Sequence, residues 1–521
     1  MTDFLLTASQ AALCILQQGV QSLAGVTLPH STTPTANISE AIAQAKKLLD
    51  WQETDTIQRL NSVFDRIHLE KSSKTQSQYW IPGAIADQNP STPYPQKDKT
   101  KSSDIELQRF QAEIKPILEE IRLQDWQNLS YLMMLLEKYG SFVSLGQSDV
   151  ALIDLVRAAA AIAAALTRDP QAQQLCLVSG GLSGIQNFIY TISSDGALKS
   201  LRARSFYLEL VTEEIVHQLL TQLQLPRTNL IYAGGVSLYL LAPTSQVKQT
   251  IHELQEKFNR WLLEEFQGKV FLSLDQVLFP IEQINQPSFA EYWEAVIKKI
   301  AKQKSRKFAA QISKALEIRP SFEPCRVCHR DDVKINNIGR CPTCDHMFNL
   351  GGWLPKTQAM LRSTTKPSIN ERIELEIDAN TVYYALFENV EVALHQVKEQ
   401  ETVLLINDWQ LSYYQHKQTI PLLLANYYAD KEAEVFMQAE EFAEAAQGIK
   451  RVGYLRMDVD RLGQIFAQGL GKHHSFPRLA GLSRQMSYFF KVYLNSLARD
   501  RSLPEQAQKR SDEPRPNLLF I

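Results

Sequence analysis

Four of the six cysteines stand in two closely spaced pairs, Cys325-x2-Cys328 and Cys341-x2-Cys344, with twelve residues between the pairs. Two such knuckles bring four thiolates to the corners of a tetrahedron, the geometry that zinc adopts at about 2.3 Å per sulfur. Four thiolates close the coordination shell and leave no position for a catalytic water, so the spacing predicts a structural Zn²⁺ site. A redox CxxC motif is the poorer explanation, because one metal accounts for both pairs.

The composition is that of an ordinary protein with several domains. The 521 residues have room for roughly three or four domains, and the net charge of −2 neither favours nor excludes a nucleic-acid partner. Cys14 and Cys176 are isolated in apolar stretches, which fits a reducing cytoplasm better than a secreted disulfide framework. The acidic start differs from a signal peptide, and the apolar run 158–166 is far shorter than the ~20 residues of a membrane span. We predict a soluble, cytoplasmic protein without membrane contact.

Residues 175–241 show strand, turn and helix patterns in succession. The apolar run 176–178 predicts a strand, and the glycine-rich stretch 179–184 predicts a tight turn before a helix that starts over 185–192. A long amphipathic helix is predicted over 201–223, and 229–241 predicts two strands around the turn Gly234-Gly235. This order of elements is typical of the ferredoxin-like fold.

The run 453–463 (GYLRMDVDRLG) predicts a strand that carries two carboxylates and then breaks into a helix. Asp458 and Asp460 are two residues apart, so both side chains project from one face of the strand. Such carboxylates hold Mg²⁺ or Mn²⁺ for phosphoryl transfer, and a strand of this kind followed by helices begins a palm-type nucleotidyl-transfer domain. We predict Asp458 as a catalytic metal ligand. Asp460 either supports that site from outside the ligand shell or caps the following helix.

The glycine-rich stretch 179–184 and Gly234-Gly235 have two explanations. A backbone without side chains lets phosphate groups approach closely. The glycines alone equally well indicate nothing more than tight turns. The basic residues Lys199, Arg202 and Arg204 have three explanations. They bind a triphosphate, they contact a partner protein, or they form a solvated basic face.

The changes of pattern along the chain predict a multidomain protein of the α+β class with two ferredoxin-like palm domains. Residues 71–104 are rich in Ser, Thr, Lys, Gln and Pro, which is typical of a linker. The predicted regions are a helical region with a polar linker (1–104), a helical block (105–170), a first palm domain (171–320), a zinc-binding insert of the ribbon type (321–356), an α/β linker region (357–445) and the start of a second palm domain (446–521).

Three runs together resemble a known family. They are 183–190 (SGIQNFIY), 201–208 (LRARSFYL) and 231–235 (IYAGG). They resemble the first palm domain of the large subunit of type III CRISPR–Cas effector complexes. The zinc knuckles and the run 456–463 (RMDVDRLG) follow in the order that this family shows. The resemblance covers roughly residues 150–521 well and the first 150 weakly.

The resemblance implies two palm domains that pack face to face and bind ATP. In that family the second palm makes cyclic oligoadenylate when the guide RNA pairs with a target RNA, and many members carry an N-terminal HD nuclease for single-stranded DNA. The subunit lies beside the 5′ tag of the CRISPR RNA, next to a small helical subunit and to the backbone and tag-binding subunits. For this chain the resemblance implies that Asp458 binds magnesium. It also implies that a nucleotide contacts Ser183, Gly184, Gly234, Gly235 and Ser237.

Three departures from the family pattern modify this expectation. The first 70 residues contain no adjacent His-Asp pair, so the N-terminal region is expected to be a degenerate HD-like domain without nuclease activity. The first palm has Gly181 and the turn 234–237 where acids often stand, so it is expected to bind nucleotide without metal. The Gly-Gly-Asp-Asp hairpin of the second palm is absent, and the run 517–521 stands where its leading strand is expected, which favours a shortened chain.

We therefore expect the full-length protein to make cyclic oligoadenylate within an RNA-guided antiviral complex. One alternative is a purely architectural subunit that caps the complex at the guide RNA 5′ tag. Another is a free-standing signalling cyclase of the GGDEF type, against which the zinc insert and the doubled palm count. A Gly-Gly-Asp-Asp turn encoded beyond residue 521 would separate the first two possibilities.

Overall fold

The computed structural model of the chain contains a four-stranded and a five-stranded β-sheet, and a helix late in the described chain packs against the helical N-terminal region. Its helices and strands are numbered α1 to α17 and β1 to β15 in chain order. The structure describes residues 2–25, 34–69, 77–97, 103–192, 197–317, 319–416, 418–426, 430–432, 435–436, 439–444, 449–453 and 459–500.

The N-terminal region is built around a buried helix. Its elements are α1 Thr2–Ala24, α2 Ala36–Leu48, β1 Ile57–Arg59, β2 Gln78–Tyr79, β3 Gln96–Lys97, α3 Ser103–Glu119, α4 Leu123–Trp126, α5 Leu129–Gly140, β4 Val143–Leu145 and α6 Leu152–Leu166. Helix α6 is the alanine-rich segment, and every residue in it except Arg157 is buried, because α1, α2 and α5 pack around it. Among the described helices, none has both the length and the apolar character needed to cross a membrane.

The stretch from residue 51 to residue 97 differs from the prediction. Helix is predicted to about residue 70, but β1 forms an antiparallel pair with the distant strand β4. A pairing so far apart in sequence leaves no local signal that periodicity could reveal. Within the predicted polar linker, β2 pairs with β3, and Tyr79, Trp80 and Ile85 are buried. The described part of this linker therefore packs against the core.

The first palm domain follows as a four-stranded antiparallel sheet with helices. Its elements are β5 Gln174–Ser183, α7 Ile185–Ile189, α8 Ala197–Leu223, β6 Leu230–Gly234, β7 Ser237–Ala242, α9 Val247–Phe266, β8 Phe271–Pro280, α10 Phe289–Lys304 and α11 Ile312–Ala315. The strand order is β6-β7-β5-β8, and every neighbouring pair is antiparallel. This order confirms the predicted ferredoxin-like arrangement.

The tight turn predicted over 179–184 is wrong, because β5 continues through this stretch to Ser183. A side chain at Gly180 would place its Cβ 2.2 Å from the side chain of Leu274 on the neighbouring strand. Glycine inside a strand permits this close packing, and it is not a turn signal here. The flanking helices are also shifted, since α7 is shorter than predicted and α8 begins four residues earlier.

Strand β8 is one edge of the palm sheet, and side chains bind backbone groups along it. Asn259 of α9 donates to the carbonyl of Leu272 (2.9 Å) and accepts from its N–H (2.8 Å). Gln303 and Lys299 of α10 donate to two further carbonyls of β8, at 2.8 and 2.7 Å. Side chains thus take the place of a neighbouring strand.

The rest of the described chain forms a second sheet and the C-terminal helices. The elements are α12 Pro342–Trp353, β9 Ala359–Ser363, β10 Arg372–Ile377, β11 Asn380–Phe387, α13 Val390–Gln396, β12 Thr402–Ile406, β13 Thr419–Leu422, β14 Asp430–Glu432, β15 Val435–Phe436, α14 Ala439–Glu444, α15 Leu462–Gln464, α16 Phe476–Tyr488 and α17 Leu494–Asp500. The sheet order is β10-β11-β9-β12-β13, with β12 and β13 parallel. Residues 454–458 of the predicted catalytic strand and the run 517–521 lie outside the described residues.

Two arginines fix α16 to the N-terminal region. Arg484 donates to both carboxylate oxygens of Asp154, at 2.7 and 3.0 Å, and Arg478 donates to Asp149 at 2.7 Å. A Cβ at Gly481 would lie 2.7 Å from the Asp154 carboxylate, so glycine permits this approach of the two helices. Helix α16 and the segment around the start of α6 are thereby held together by charge.

A buried ion pair joins α8 of the first palm to the five-stranded sheet. Glu214 accepts hydrogen bonds from Arg362 Nε (2.7 Å), Arg362 Nη2 (2.8 Å) and Tyr384 Oη (2.6 Å). Burial alone would raise the pKa of Glu214, but the hydrogen bonds and the charge of Arg362 outweigh it, and the pKa is lowered.

Replacing Glu214 tests how strongly the two sheets depend on this pair. Glu214→Ala leaves the Arg362 guanidinium buried without a counter-charge, so we expect the free energy of unfolding in urea to fall by about 3–5 kcal/mol. Tyr384→Phe is the matched control, because it keeps the ion pair and removes one hydrogen bond, at a cost of ~1 kcal/mol. Equal losses for the two variants would contradict the expectation.

The Glu214–Arg362 ion pair also predicts that the stability of the fold depends on pH. The contribution of Glu214 is fully present above its unfolded pKa of about 4.3 and is lost as the pH falls through its lower folded pKa. The difference in stability between wild type and Glu214→Ala should therefore narrow in this acidic range.

Candidate functional site

The turn between β6 and β7 is a hairpin loop of two residues. Gly234 pairs with Ser237, and Gly235 and Val236 between them both have positive φ, 56° and 61°, as in a type I′ turn. This region suits glycine but strains a β-branched residue. Val236 is held in it because its side chain is buried and its carbonyl accepts from the Leu182 N–H (2.9 Å). The predicted hairpin is confirmed, with its loop displaced by one residue.

The five predicted nucleotide-binding residues lie at the same end of the palm sheet. Ser183 ends β5, Ser237 begins the neighbouring β7, and Gly234 ends β6. Gly184 and Gly235 directly follow β5 and β6. The structure therefore brings these residues into one corner of the domain, although they come from two separate stretches of the chain.

Two of the five have a packing role in that corner. Gly184 has a φ of 84°, and a Cβ there would lie 1.8 Å from the carbonyl oxygen of Lys269, so only glycine fits. The Ser183 hydroxyl donates to the Phe271 carbonyl on β8 (3.3 Å). Chain packing thus explains Gly184 without a ligand, and a contact of the hairpin residues with nucleotide stays a prediction.

Glu209 of α8 links the hairpin to the C-terminal helices. Its Oε1 accepts from the Gly235 N–H (3.1 Å), and its Oε2 accepts from Lys491 Nζ (3.0 Å). Lys491 lies in the helical segment directly after α16. Sequence reasoning missed Glu209, because a glutamate inside an amphipathic helix gives no sign of which backbone group it will reach.

A cavity of about 130 Å³ adjoins this link, and the first palm, α5, α6, β13 and α16 all contribute to its lining. Burial, and then the nearby Glu209 carboxylate, raise the pKa of Tyr232 to about 12, and its hydroxyl shares a hydrogen bond with Ser487. Arg227, which also lines the cavity, donates to Glu213 (2.9 Å). The charged groups that line this cavity therefore largely neutralise one another.

Asp460 is the described member of the predicted catalytic pair. Its side chain is exposed. Helix α15 begins at Leu462, and the residue in the capping position is Arg461, which has a φ of 56°. Asp460 is not the capping residue, so that alternative is wrong. Asp458 lies outside the described residues, and its role as a metal ligand stays a prediction.

The four cysteines of the two knuckles form one cluster. Their sulfurs all lie within 4.8 Å of one another, and the Sγ atoms of Cys328 and Cys341 are 3.6 Å apart. Four sulfurs around a tetrahedral zinc are about 3.8 Å apart, so the cluster is consistent with that ion. Hydrogen bonds from Cys341 and Cys344 lower the pKa of Cys328, and the hydrogen bond with Cys328 raises the pKa of Cys341. The Cys341 N–H also donates to Cys325 Sγ (3.3 Å).

Two arginines attach this cluster to the first palm. Arg204 of α8 is buried and donates from Nη2 to Cys344 Sγ (3.1 Å). Arg330, between the knuckles, donates to the carbonyls of Glu264 (3.2 Å) and Glu265 (2.9 Å). These carbonyls belong to the last turn of α9, where no helical N–H remains to bind them. The cysteine cluster is therefore part of the palm's packing.

The basic residues at the start of α8 all face the cysteine-bearing insert. Besides Arg204, Arg202 donates to the Gly351 carbonyl (3.2 Å), and the Lys199 ammonium lies 5.4 Å from the centre of the Phe348 ring. The solvated-face interpretation is wrong for Arg204, which is 2% exposed. The partner of this basic group lies within the same chain.

Glu209→Ala tests whether this residue holds the hairpin in place. The variant removes the acceptor for the Gly235 N–H and the counter-charge of Lys491. We expect amide hydrogen exchange over residues 232–238 to become roughly fivefold faster, which corresponds to a hydrogen bond of ~1 kcal/mol. Glu209→Gln keeps an acceptor and should change exchange less. Unchanged exchange in Glu209→Ala would mean that the turn keeps its shape without this contact.

Family models and curated proteins match large parts of this chain. The model of Csm1 subunit domain B matches residues 174–321, and that of the Cas10/Cmr2 second palm domain matches residues 451–510. The single-strand-specific deoxyribonuclease Cas10/Csm1 (subtype III-A) of Thermococcus onnurineus is 28% identical over 429 residues, which are 75% of this chain and 52% of that protein. Its counterpart in Mycobacterium tuberculosis is 28% identical over 504 residues, 85% of this chain and 59% of that protein. The chain spans about half the length of these curated relatives.

Solved structures share the fold across nearly the whole chain. The crystal structure of a Csm1–Csm4 subcomplex of the type III-A interference complex matches with a TM-score of 0.70 at 21% identity, over 96% of this chain and 71% of that one. A Csm1–Csm4 cassette in complex with cA4 matches with a TM-score of 0.67 at 21% identity, over 96% and 70%. Sequence motifs, family models and fold thus agree: the chain contains regions that match Csm1 domain B and the Cas10/Cmr2 second palm domain, and it is similar to the Cas10/Csm1 large subunits of type III-A CRISPR complexes.

Proposed function

We propose that the full-length protein binds ATP and joins it into cyclic oligoadenylate when its RNA-guided complex recognises a target RNA. One observation carries the proposal: the five predicted nucleotide-binding residues meet at one end of the palm sheet, next to a hairpin that Glu209 connects to Lys491. Lys491 belongs to the stretch that matches the second palm model. Related Csm1–Csm4 cassettes have been crystallised with one ATP and with cA4.

Each candidate residue has a distinct task under this proposal. Gly234 and Gly235 let the phosphates of ATP approach the backbone, and Ser237 offers a hydroxyl as donor. Asp458 would hold Mg²⁺ or Mn²⁺, which neutralises charge on the phosphates and activates the attacking oxygen, and Asp460 would support that site from outside the ligand shell. The exposed side chain of Asp460, which does not cap α15, supports this assignment.

A purely architectural subunit that caps the complex at the guide RNA 5′ tag is the second candidate. The buried pairs Arg484–Asp154 and Glu214–Arg362 favour it, because they hold the parts of the chain in a fixed arrangement that needs no nucleotide. Under this alternative the full-length protein assembles with its partners and makes no oligoadenylate, even when target RNA is added.

The proposed partners are the CRISPR RNA, the target RNA, a small helical subunit, and the backbone and tag-binding subunits. A relative with the same fold was crystallised with Csm4, which supports a contact of this chain with another protein subunit of the complex. The curated relatives are named as deoxyribonucleases. The first 70 residues contain no adjacent His-Asp pair, and we propose that the N-terminal region is a degenerate HD-like domain that does not cut single-stranded DNA.

We also propose that the four cysteines hold one structural Zn²⁺. Metal analysis should return about one zinc per chain, and Cys341→Ser should lose the metal and unfold residues 321–356 locally, because metal binding and folding are coupled. Cys14→Ala is the matched control, since it removes a buried thiol outside the cluster and should keep the metal. A zinc content far below one per chain in the wild type would contradict the proposal.

Asp458→Ala tests the catalytic proposal in the full-length protein assembled with guide RNA. Synthesis of oligoadenylate from labelled ATP on addition of target RNA should fall by more than about 100-fold, because a metal ligand that stabilises transition-state charge is lost. Assembly, followed by size-exclusion chromatography, should be unchanged. The matched control is Glu399→Ala, which removes an exposed carboxylate elsewhere.

Two outcomes of this experiment, and one further assay of the same preparation, are decisive. Normal synthesis by Asp458→Ala would show that the residue is only structural. No synthesis by the wild-type complex, despite correct assembly, would favour the architectural alternative. The same preparation incubated with labelled single-stranded DNA tests the nuclease proposal, and metal-dependent cleavage that disappears on mutation of the N-terminal region would contradict it.

A further inference from the structure

A strongly basic segment begins in the second half of α10. From residue 298 to residue 316 the chain has seven basic residues and no acidic one, although the net charge of the whole chain is −2. Six of the seven fall within the first ten positions. Together they form the basic ridge, which consists of Lys298, Lys299, Lys302, Lys304, Arg306, Lys307 and Lys314.

The basic ridge is attached firmly to the first palm. Lys299 and Gln303 reach carbonyls of the edge strand β8. Phe308, which follows the densest part of the ridge, is buried, and its ring packs edge-on against Phe271 with the ring centres 5.0 Å apart. The backbone that carries these cations is thus already ordered, so ligand binding has to order only their side chains.

Most of these cations lack an acidic neighbour. Lys298, Lys299 and Lys314 each form an ion pair with an acidic side chain. Lys302, Lys304, Arg306 and Lys307 form no ion pair with any of the described residues, and all four side chains are exposed. Four neighbouring positive charges without an internal counter-charge create a local field that attracts anions.

We propose that the basic ridge is a binding site for the sugar–phosphate backbone of single-stranded RNA. The proposal rests on the proposed function in an RNA-guided complex, and it names a surface for that function. A nucleic-acid strand presents negative charge alone, whereas a protein surface mixes both signs and would leave part of an all-basic ridge unpaired. Contacts to phosphates carry no sequence information, which suits a complex in which the guide RNA reads the sequence by base pairing.

The test compares two triple variants of equal net charge. One is Lys302→Ala/Arg306→Ala/Lys307→Ala on the ridge. The control, Lys248→Ala/Lys366→Ala/Lys398→Ala, removes three exposed lysines elsewhere on the surface. Binding of a fluorescent single-stranded RNA to the full 521-residue chain is measured by anisotropy at several salt concentrations, and circular dichroism confirms that both variants are folded.

We expect the ridge variant to bind RNA on the order of tenfold more weakly, with a salt dependence whose slope falls by about two, as for three lost phosphate contacts on a single strand. The control should bind like the wild type. Cross-linking of the assembled complex at the ridge then identifies the bound strand as guide or target RNA.

Three results would overturn the proposal. In the first, the ridge variant binds RNA as tightly as the control does, or both variants lose affinity equally. In the second, the wild-type chain shows no salt-dependent binding of RNA. In the third, RNA binding is unchanged while the ridge variant loses a partner subunit, which would make the ridge a protein-docking surface. None of these results affects the proposed synthesis of oligoadenylate, which the Asp458 variant tests separately.

Discussion

Three glutamates on α8 each require a cation from a different part of the chain, and this requirement links the parts of the structure. Glu209 finds its cation in the C-terminal helices, Glu213 in the segment before β6, and Glu214 in the five-stranded sheet. A carboxylate left unpaired in the interior costs several kcal/mol. Glu213 and Glu214 are buried, so the position of α8 depends above all on their two arginines, and Glu209 adds a weaker link to the C-terminal helices.

The same helix connects the cysteine cluster with the glycine hairpin. Arg204, which donates to Cys344, lies five positions before Glu209, which accepts from Gly235. Five residues span about 7.5 Å along a helix axis. A displacement at the cluster would therefore be carried to the hairpin by one rigid element. Holding the cluster in place serves the corner that is proposed to bind nucleotide, although no cysteine needs to touch a ligand.

Local features were predictable from the sequence, and features that depend on distant contacts were not. The CxxC spacing and the hairpin around Gly234-Gly235 were recognised, because a short stretch contains all the information that defines each of them. Gly180 was assigned to a turn because the side chain that excludes a Cβ there, Leu274, lies on a strand almost a hundred residues later. Glu209 gave no signal at all, since its role depends on Lys491. Ion pairs between residues far apart in the sequence leave no repeating pattern in it, so they could not be predicted.

The edge strand β8 has a consequence for association with other chains. An uncovered edge offers its N–H and C=O groups to any strand that approaches, and such edges lead to aggregation. Here Asn259 binds both backbone groups of Leu272, much as a neighbouring strand would, and side chains of α10 bind the carbonyls farther along. The palm sheet is thereby closed to extension on this side. A partner that adds a strand to this sheet has to do so at β6.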